Sequence, residues 1–286
     1  MDPVQIILFA LIVAAGGVIQ SAVGFGTGLF ATMLLLLSGM PAEQVVPFVS
    51  VVSLSQTVVG AWKLRELVLW KLVVGMVLIG MTMQPVGVWL LSLLTAQGPV
   101  IVKQVFGLII LTALAAQWWL QPHPRERLHW GWAVLTMIIA GLMHGLAGMS
   151  GPPIVLWVMA HNWTNHRSRA MLWAFFSLLI PANLVNYAIR FGDPAIDGML
   201  LGVAFIPFML IGMVPGMWIG HRMSKARLKQ MAMVVLLLVA TYGITESMIF
   251  RGSSQDAPPP SPAATSSTQT RTTDQPDRPP LSPPRQ

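Results

Sequence analysis

Long stretches without a charged side chain are the feature that most constrains how this chain folds. Eight runs lack Asp, Glu, Lys and Arg over 16 to 39 residues, at 4–42, 44–62, 72–102, 104–124, 128–166, 170–189, 198–221 and 230–245. A membrane-spanning helix needs about 20 mostly apolar residues. Only 9% of the chain is charged, whereas a soluble domain carries about 25%. These runs do not alternate as barrel strands do, so they predict an all-α polytopic membrane protein.

Composition changes abruptly after the last run. Residues 251–286 are rich in Pro, Ser, Thr and Gln and carry almost no large apolar side chains. Such a segment buries too little surface to offset the entropy of ordering, and we predict a disordered tail. The predicted organisation is a first transmembrane repeat at 1–122, a second at 123–250, and the tail at 251–286.

The evidence for a repeat lies in the two longest runs, 4–42 and 128–166, which have 39 residues each and are interrupted by small residues. A shift of 124 residues superposes three pairs, namely Gly17 with Gly141, Gln20 with His144 and Gly24 with Gly148. Further matches follow at slightly larger offsets, namely Pro85 with Pro215 and Lys103 with Lys229. A fixed order of matches indicates duplication.

The loop charges predict how the two copies are oriented. If each 39-residue run is a hairpin, each repeat has an odd number of segments and the second copy is inverted. Eleven basic residues then fall on one face, at 63, 65, 71, 125, 127, 167, 169, 222, 225, 227 and 229. Excess Lys and Arg mark the cytoplasmic face. The sequence thus predicts two inverted repeats with about 8–10 segments. The basic residues lie in short loops between the apolar runs and form no single patch, which argues against a nucleic-acid partner.

The interruptions themselves predict a binding site. Small residues within an apolar run break a helix, which a membrane tolerates only where the backbone is buried or lines a cavity. Broken helices at matching positions of two inverted halves point to a transport site. The candidate substrate-binding residues are Gln20, Ser21, Gly24, Gly26, Thr27, Gly28, His144, Gly148, Ser150, Gly151 and Pro152. Backbone amides at the second half-helices would bind an anion, with hydroxyls of Ser21, Thr27 and Ser150 as further donors.

Each of these features also has a plainer interpretation. Gly24 and Gly28 have the four-residue spacing of close helix packing. His144 is either a proton carrier or a satisfied structural histidine. Polar residues inside other spans either line the cavity or join helices; these are Gln56, Gln84, Asn183 and Asn186.

Several classes of function have no support in the sequence. The chain has no cysteine, its histidines lack metal-ligand spacing, and no phosphate-binding loop or dinucleotide fingerprint occurs. No carboxylate lies centrally in a run, which argues against a carboxylate-based cation pump. We therefore predict no enzyme activity, no cofactor and no metal.

The two breaks, Gln20-Ser21-Ala22-Val23-Gly24-Phe25-Gly26-Thr27-Gly28 and Gly145-Leu146-Ala147-Gly148-Met149-Ser150-Gly151-Pro152-Pro153, lie in duplicated halves of about 125 residues. In this the chain resembles the sulfite exporter TauE/SafE family of membrane transporters over roughly residues 4 to 250. The resemblance implies a multi-pass carrier of the bacterial inner membrane, which moves sulfite, a sulfonate or a related small anion without ATP hydrolysis.

The leading hypothesis is a secondary transporter with alternating access around the paired breaks. Its partners would be a small anionic substrate and the lipid bilayer, and the sequence leaves homo-oligomers open. The alternative is a non-transporting scaffold or accessory subunit that recruits a partner through its Pro-rich tail. A membrane-embedded enzyme is disfavoured, because central carboxylates and metal ligands are missing.

Overall fold

The structure is a computed structural model that describes residues 2–119, 129–149, 151–222 and 237. In these ranges the chain forms helices α1 Pro3–Val23, α2 Thr27–Leu37, α3 Ala42–Lys63, α4 Trp70–Ala96, α5 Pro99–Trp119, α6 Trp130–Ala147, α7 Gly151–Met159, α8 Asn165–Phe191 and α9 Asp193–Arg222. A short 3-10 helix, Arg65–Leu67, joins α3 to α4. Seven of these helices, all except α2 and α7, are long and apolar enough to cross a membrane. The predicted all-α polytopic class is confirmed.

Each of the two 39-residue runs folds as a pair of helices. The first run contains α1 and the 11-residue α2, and the second contains α6 and the 9-residue α7. At a rise of about 1.5 Å per residue, α2 and α7 are too short to span a bilayer. The last predicted segment, 230–245, and the tail at 251–286 lie outside the described residues.

The two halves of the chain interlock. Helix α1 packs along α9, and α6 packs along α4, so each broken pair lies against a long helix of the other half. Helix α3 contacts both α8 and α9, and α8 also contacts α4. The inverted repeat and the boundary between 122 and 123 stay predictions. Contacts between helices of both halves nevertheless join the described helices into one bundle.

Glycines allow these two crossings to be close. In the α4–α6 crossing, a Cβ added at Gly141 would meet the backbone oxygen of Gly80, and one at Gly145 that of Gln84. In the α1–α9 crossing the glycines of α9 are four residues apart, at Gly212, Gly216 and Gly220, and each faces the backbone of α1. Small residues at this spacing let membrane helices approach closely.

Candidate functional site

Both breaks begin with the same helix end. Gly24 ends α1 with a φ of 103°, and its N–H donates to the Gln20 carbonyl at 2.7 Å. Gly148 ends α6 with a φ of 66°, and its N–H donates to the His144 carbonyl at 2.8 Å. Left-handed backbone is unfavourable for residues with a Cβ, which explains a glycine at each position. These residue pairs are the ones superposed by the shift of 124 residues.

The half-helices that follow offer different numbers of amide donors. At the start of α2, Phe30 is the first residue whose N–H bonds back, to the Gly26 carbonyl at 2.9 Å. The amides of Thr27, Gly28 and Leu29 precede it and have no acceptor within the helix. Helix α7 instead begins Gly151-Pro152-Pro153, and proline has no N–H. Among the described residues of the two half-helices, amide donors are therefore concentrated at the start of α2.

The two breaks meet around a cavity of about 40 Å³. Their backbones come close there, since a Cβ added at Gly28 would lie 2.9 Å from the Gly148 carbonyl oxygen. The described residues that line it come from both breaks and from α3 and α8: Gln20, Phe25, Gly26, Gly28, Leu29, Ser53, Thr57, His144, Gly148, Met149, Gly151, Phe176 and Ile180. None of these side chains is an acid, a lysine or an arginine.

Six of the predicted substrate-binding residues line this cavity, namely Gln20, Gly26, Gly28, His144, Gly148 and Gly151. Gly24 and Pro152 lie in the breaks without lining it. Ser150 lies outside the described residues. Binding itself stays a prediction, but the structure brings together residues that are 124 positions apart.

Two predicted hydroxyl donors are engaged elsewhere. The Ser21 hydroxyl donates to the Gly17 carbonyl at 2.6 Å, within α1. The Thr27 hydroxyl donates to the Gly16 carbonyl at 2.7 Å and ties the start of α2 to α1. Neither residue lines the cavity, so both hydroxyls stabilise the break in this structure.

Two polar side chains of the cavity have no partner in the described part of the chain. Gln20 is 4% exposed and Ser53 is 8% exposed, and neither side chain bonds to another described residue. Buried polar groups are normally satisfied. Their position on the cavity wall leaves them available to a bound molecule.

The sequence reasoning missed the contribution of α3 and α8. Ser53 and Thr57 belong to a stretch of α3 rich in small polar residues, Ser53-Leu54-Ser55-Gln56-Thr57, which was the available signal. Phe176 and Ile180 of α8 are apolar residues among many others, and nothing in the sequence distinguishes them.

Polar residues inside the spans mostly join helices. The side-chain amide of Gln56 donates to Gly17, that of Gln84 to Leu179 and that of Asn183 to His144, each to a backbone carbonyl at 3.0 Å. Of the two interpretations left open for these three residues, the structure supports helix joining.

Helix α8 holds the ends of both broken helices. Near its start, the Arg169 guanidinium donates to the Ser21 carbonyl at the end of α1. Near its end, the Tyr187 hydroxyl donates to the His144 and Gly145 carbonyls of α6, at 2.8 Å each. The last carbonyls of a helix have no N–H partner within the helix itself, and that of His144 accepts in addition from the N–H of Gly148, the residue that caps α6. Both breaks are thus fixed by one helix, whose middle residues line the cavity.

Comparison with known proteins supplies the family. The family profile of the sulfite exporter TauE/SafE matches residues 8–243, which include both breaks and, apart from the first five residues of α1, all the helices described above. Neither the curated proteins nor the solved structures gave a match. Because the match spans most of the chain and seven of its helices can cross a membrane, the chain belongs to the sulfite exporter TauE/SafE family of membrane transporters.

Proposed function

We propose that this chain is a secondary transporter of the bacterial inner membrane that moves a small oxyanion, sulfite or a related organosulfur acid, by alternating access. The family supports the class of function. The substrate and the mechanism are argued from the cavity between the two breaks.

The observation that carries the proposal is a small neutral cavity at the start of α2. The positive end of a helix dipole and its unbonded amides form an anion-binding site. Gln20 and Ser53 add buried donors whose side chains have no other described partner. Dipoles fixed by the fold replace part of the hydration shell of an anion without adding a counter-charge.

The size of the cavity favours a compact substrate. A cavity needs about 10–15 Å³ to hold one water molecule, and this cavity of about 40 Å³ has room for only a few non-hydrogen atoms. Sulfite, one sulfur with three oxygens, is close to this size. A sulfonate with a carbon chain would extend beyond the cavity.

The packing suggests which parts move. Glycine crossings join α1 to α9 and α6 to α4, which makes each pair a rigid unit. The breaks touch across the cavity at Gly28 and Gly148. Rocking of one unit against the other separates the breaks on one side and closes them on the other.

To test the site, sulfite flux into proteoliposomes is measured for the variants Ser53→Ala and Gln20→Leu and compared with that of the unaltered chain. Each variant removes a donor to a charged ligand, and such bonds contribute about 1.5–3 kcal/mol, so we expect flux to fall about tenfold or more. Ser55→Ala is the matched control, because its hydroxyl donates to the Val52 carbonyl at 2.7 Å and it does not line the cavity. Unchanged flux in both cavity variants contradicts the site.

Truncation separates this proposal from the scaffold alternative. Removing residues 252–286 leaves the whole cavity intact, so a carrier keeps its flux. Loss of flux with a correctly inserted truncated protein contradicts a carrier formed by the helices alone.

A further inference from the structure

A second and larger cavity is also lined by residues of α3 and α8, different from those that line the proposed transport site. Its volume is about 330 Å³, and it is lined by Val58, Ala61, Trp62, Arg65, Glu66, Trp70 and Ser177. Nothing in the proposed transport mechanism uses this groove between α3, α8 and the start of α4.

The groove is charged at one end and apolar along its length. Arg65 and Glu66 lie in the short 3-10 helix and are exposed. Val58 precedes Arg65 by seven residues along the chain, which corresponds to about 10 Å of helix. A charged mouth followed by an apolar groove of this length matches a phospholipid headgroup and the first part of one acyl chain.

The mouth presents one positive and one negative group side by side. The Arg65 guanidinium lies 4.8 Å from the centre of the Trp62 ring and donates to the Trp62 carbonyl at 3.4 Å. Within the described part of the chain, neither Arg65 nor Glu66 forms an ion pair. Trp62 is 70% exposed and Trp70 is 45% exposed, as is typical of tryptophan at a membrane interface.

We propose that this groove binds a phospholipid whose headgroup carries both a phosphate and a primary ammonium, as phosphatidylethanolamine does. The phosphate accepts from Arg65, the ammonium donates to Glu66, and one acyl chain lies along Ala61 and Val58 towards Ser177. Phosphatidylcholine has no N–H to donate to Glu66. Phosphatidylglycerol brings a negative charge to Glu66 with no ammonium to offset it.

Charge outside the groove does not choose between these lipids. Lys63 and Lys71 are exposed and flank the mouth in sequence without lining it. They attract the phosphate of any headgroup through the same surface electrostatics. Discrimination therefore depends on Glu66.

The groove also adjoins the transport cavity. Thr57 and Phe176 line the cavity, and the next residues in the chain, Val58 and Ser177, line the groove. An acyl chain in the groove therefore packs against both helices next to the cavity. This consequence rests on the proposed function, whereas the lipid site itself does not.

The test is lipid retention by the full chain, delipidated in detergent and then mixed with equal amounts of phosphatidylethanolamine, phosphatidylglycerol and phosphatidylcholine with identical acyl chains. Native mass spectrometry counts what stays bound. We expect the unaltered chain to retain phosphatidylethanolamine preferentially. Glu66→Gln should lower that preference about threefold, the size expected for an exposed ion pair, and Arg65→Gln should lower retention of all three lipids.

Matched controls use charges away from the groove. Glu43→Gln changes an acidic residue at the other end of α3, and Arg190→Gln changes an arginine at the other end of α8. Both should retain lipid as the unaltered chain does. Equal retention of phosphatidylglycerol by the unaltered chain, or the same loss of preference in Glu43→Gln as in Glu66→Gln, overturns the proposal.

Filling the groove provides an independent variant. Ser177→Phe places a ring where the acyl chain would lie and should abolish selective retention, and Ser177→Leu serves if the phenylalanine variant elutes as aggregate. Selective retention by either folded variant overturns the proposal. Sulfite flux by the same variants in proteoliposomes is a separate readout, so failure of the lipid site is distinguishable from failure of the transport proposal.

Discussion

At the first break a charged side chain holds the end of the broken helix, and at the second break neutral side chains do. Arg169 donates to the Ser21 carbonyl of α1, while Tyr187 and Asn183 donate to the His144 carbonyl of α6. Both ends have the same glycine geometry. Matching backbones have therefore been stabilised by different side-chain chemistry, which the sequence match alone does not reveal.

The breaks also differ in what they offer a ligand. The start of α2 presents three amides without acceptors in the helix, whereas the prolines at the start of α7 remove two. Arg169 adds positive charge beside Gly24, where its Cγ would lie 3.4 Å from an added Cβ. These differences assign the proposed anion site to the first break rather than to the second.

The largest expected effect tests whether the glycine crossings hold both breaks. In Gly87→Leu, an added Cβ would lie 2.6 Å from the Leu146 backbone nitrogen, and α4 and α6 cannot separate without losing their packing. Overpacking costs typically about 1–3 kcal/mol and more against backbone, so we expect little folded protein by size-exclusion chromatography.

Gly75→Leu is the control in the same helix, because an added Cβ there meets nothing within 4 Å. It should fold normally. Gly216→Leu in α9, which faces the Val18 backbone of α1, should fail as Gly87→Leu does. If Gly216→Leu folds while Gly87→Leu does not, close packing at the α1–α9 crossing is less important for folding than close packing at the α4–α6 crossing.

The second prediction concerns the charged end of the first break. Arg169→Gln leaves the buried Ser21 carbonyl without its charged donor, and bonds to charged groups contribute about 1.5–3 kcal/mol. We expect a lower thermal unfolding midpoint in detergent. The control is Arg167→Gln, because the Arg167 guanidinium lies 5.8 Å from the centre of the Trp163 ring instead. This variant should lower the midpoint less, and equal shifts would contradict a special role for Arg169.

The third prediction addresses the neutral end. Tyr187→Phe keeps the ring and removes the hydroxyl that bonds two carbonyls of α6. Interhelical bonds in membranes contribute about 0.6 kcal/mol on average, so the midpoint should fall by less than in Arg169→Gln. A larger fall in the midpoint than in Arg169→Gln would mean that the neutral bonds at the second break stabilise the protein more than the charged bond at the first.

The double variant Arg169→Gln/Tyr187→Phe measures whether the stabilities of the two breaks are coupled. Distant, independent sites add within about 0.5 kcal/mol. Because Arg169 and Tyr187 lie near opposite ends of α8, we expect additive shifts in unfolding. A clear departure from additivity would show that α8 transmits strain from one break to the other.

The smallest effect is expected for Thr27→Val. The Thr27 hydroxyl bonds the Gly16 carbonyl and does not line the cavity. We expect a loss of about 0.6 kcal/mol in stability and unchanged sulfite flux. Strongly reduced flux in folded Thr27→Val would indicate that this hydroxyl contacts the substrate, as the sequence analysis predicted.

Much of this site was accessible from sequence patterns. The match of Gly24 with Gly148, within small-residue breaks of two apolar runs, predicted two equivalent breaks. The structure adds that both glycines end a helix in the left-handed conformation, which is unfavourable for residues with a Cβ. The bonding partners of the Thr27 and Ser21 hydroxyls could not be predicted from the sequence. Whether a hydroxyl meets a ligand or a neighbouring carbonyl depends on a few ångströms that spacing along the chain does not define.

The sequence by itself determined the membrane-spanning helices and the places where they break, because uncharged length and small residues act locally through solvation and backbone freedom. Only the tertiary structure decided that the breaks meet, that Ser53 and Ile180 complete their cavity, and that α8 holds both ends. These contacts join segments far apart in the chain, and close packing of helices, rather than any local pattern, brings them together.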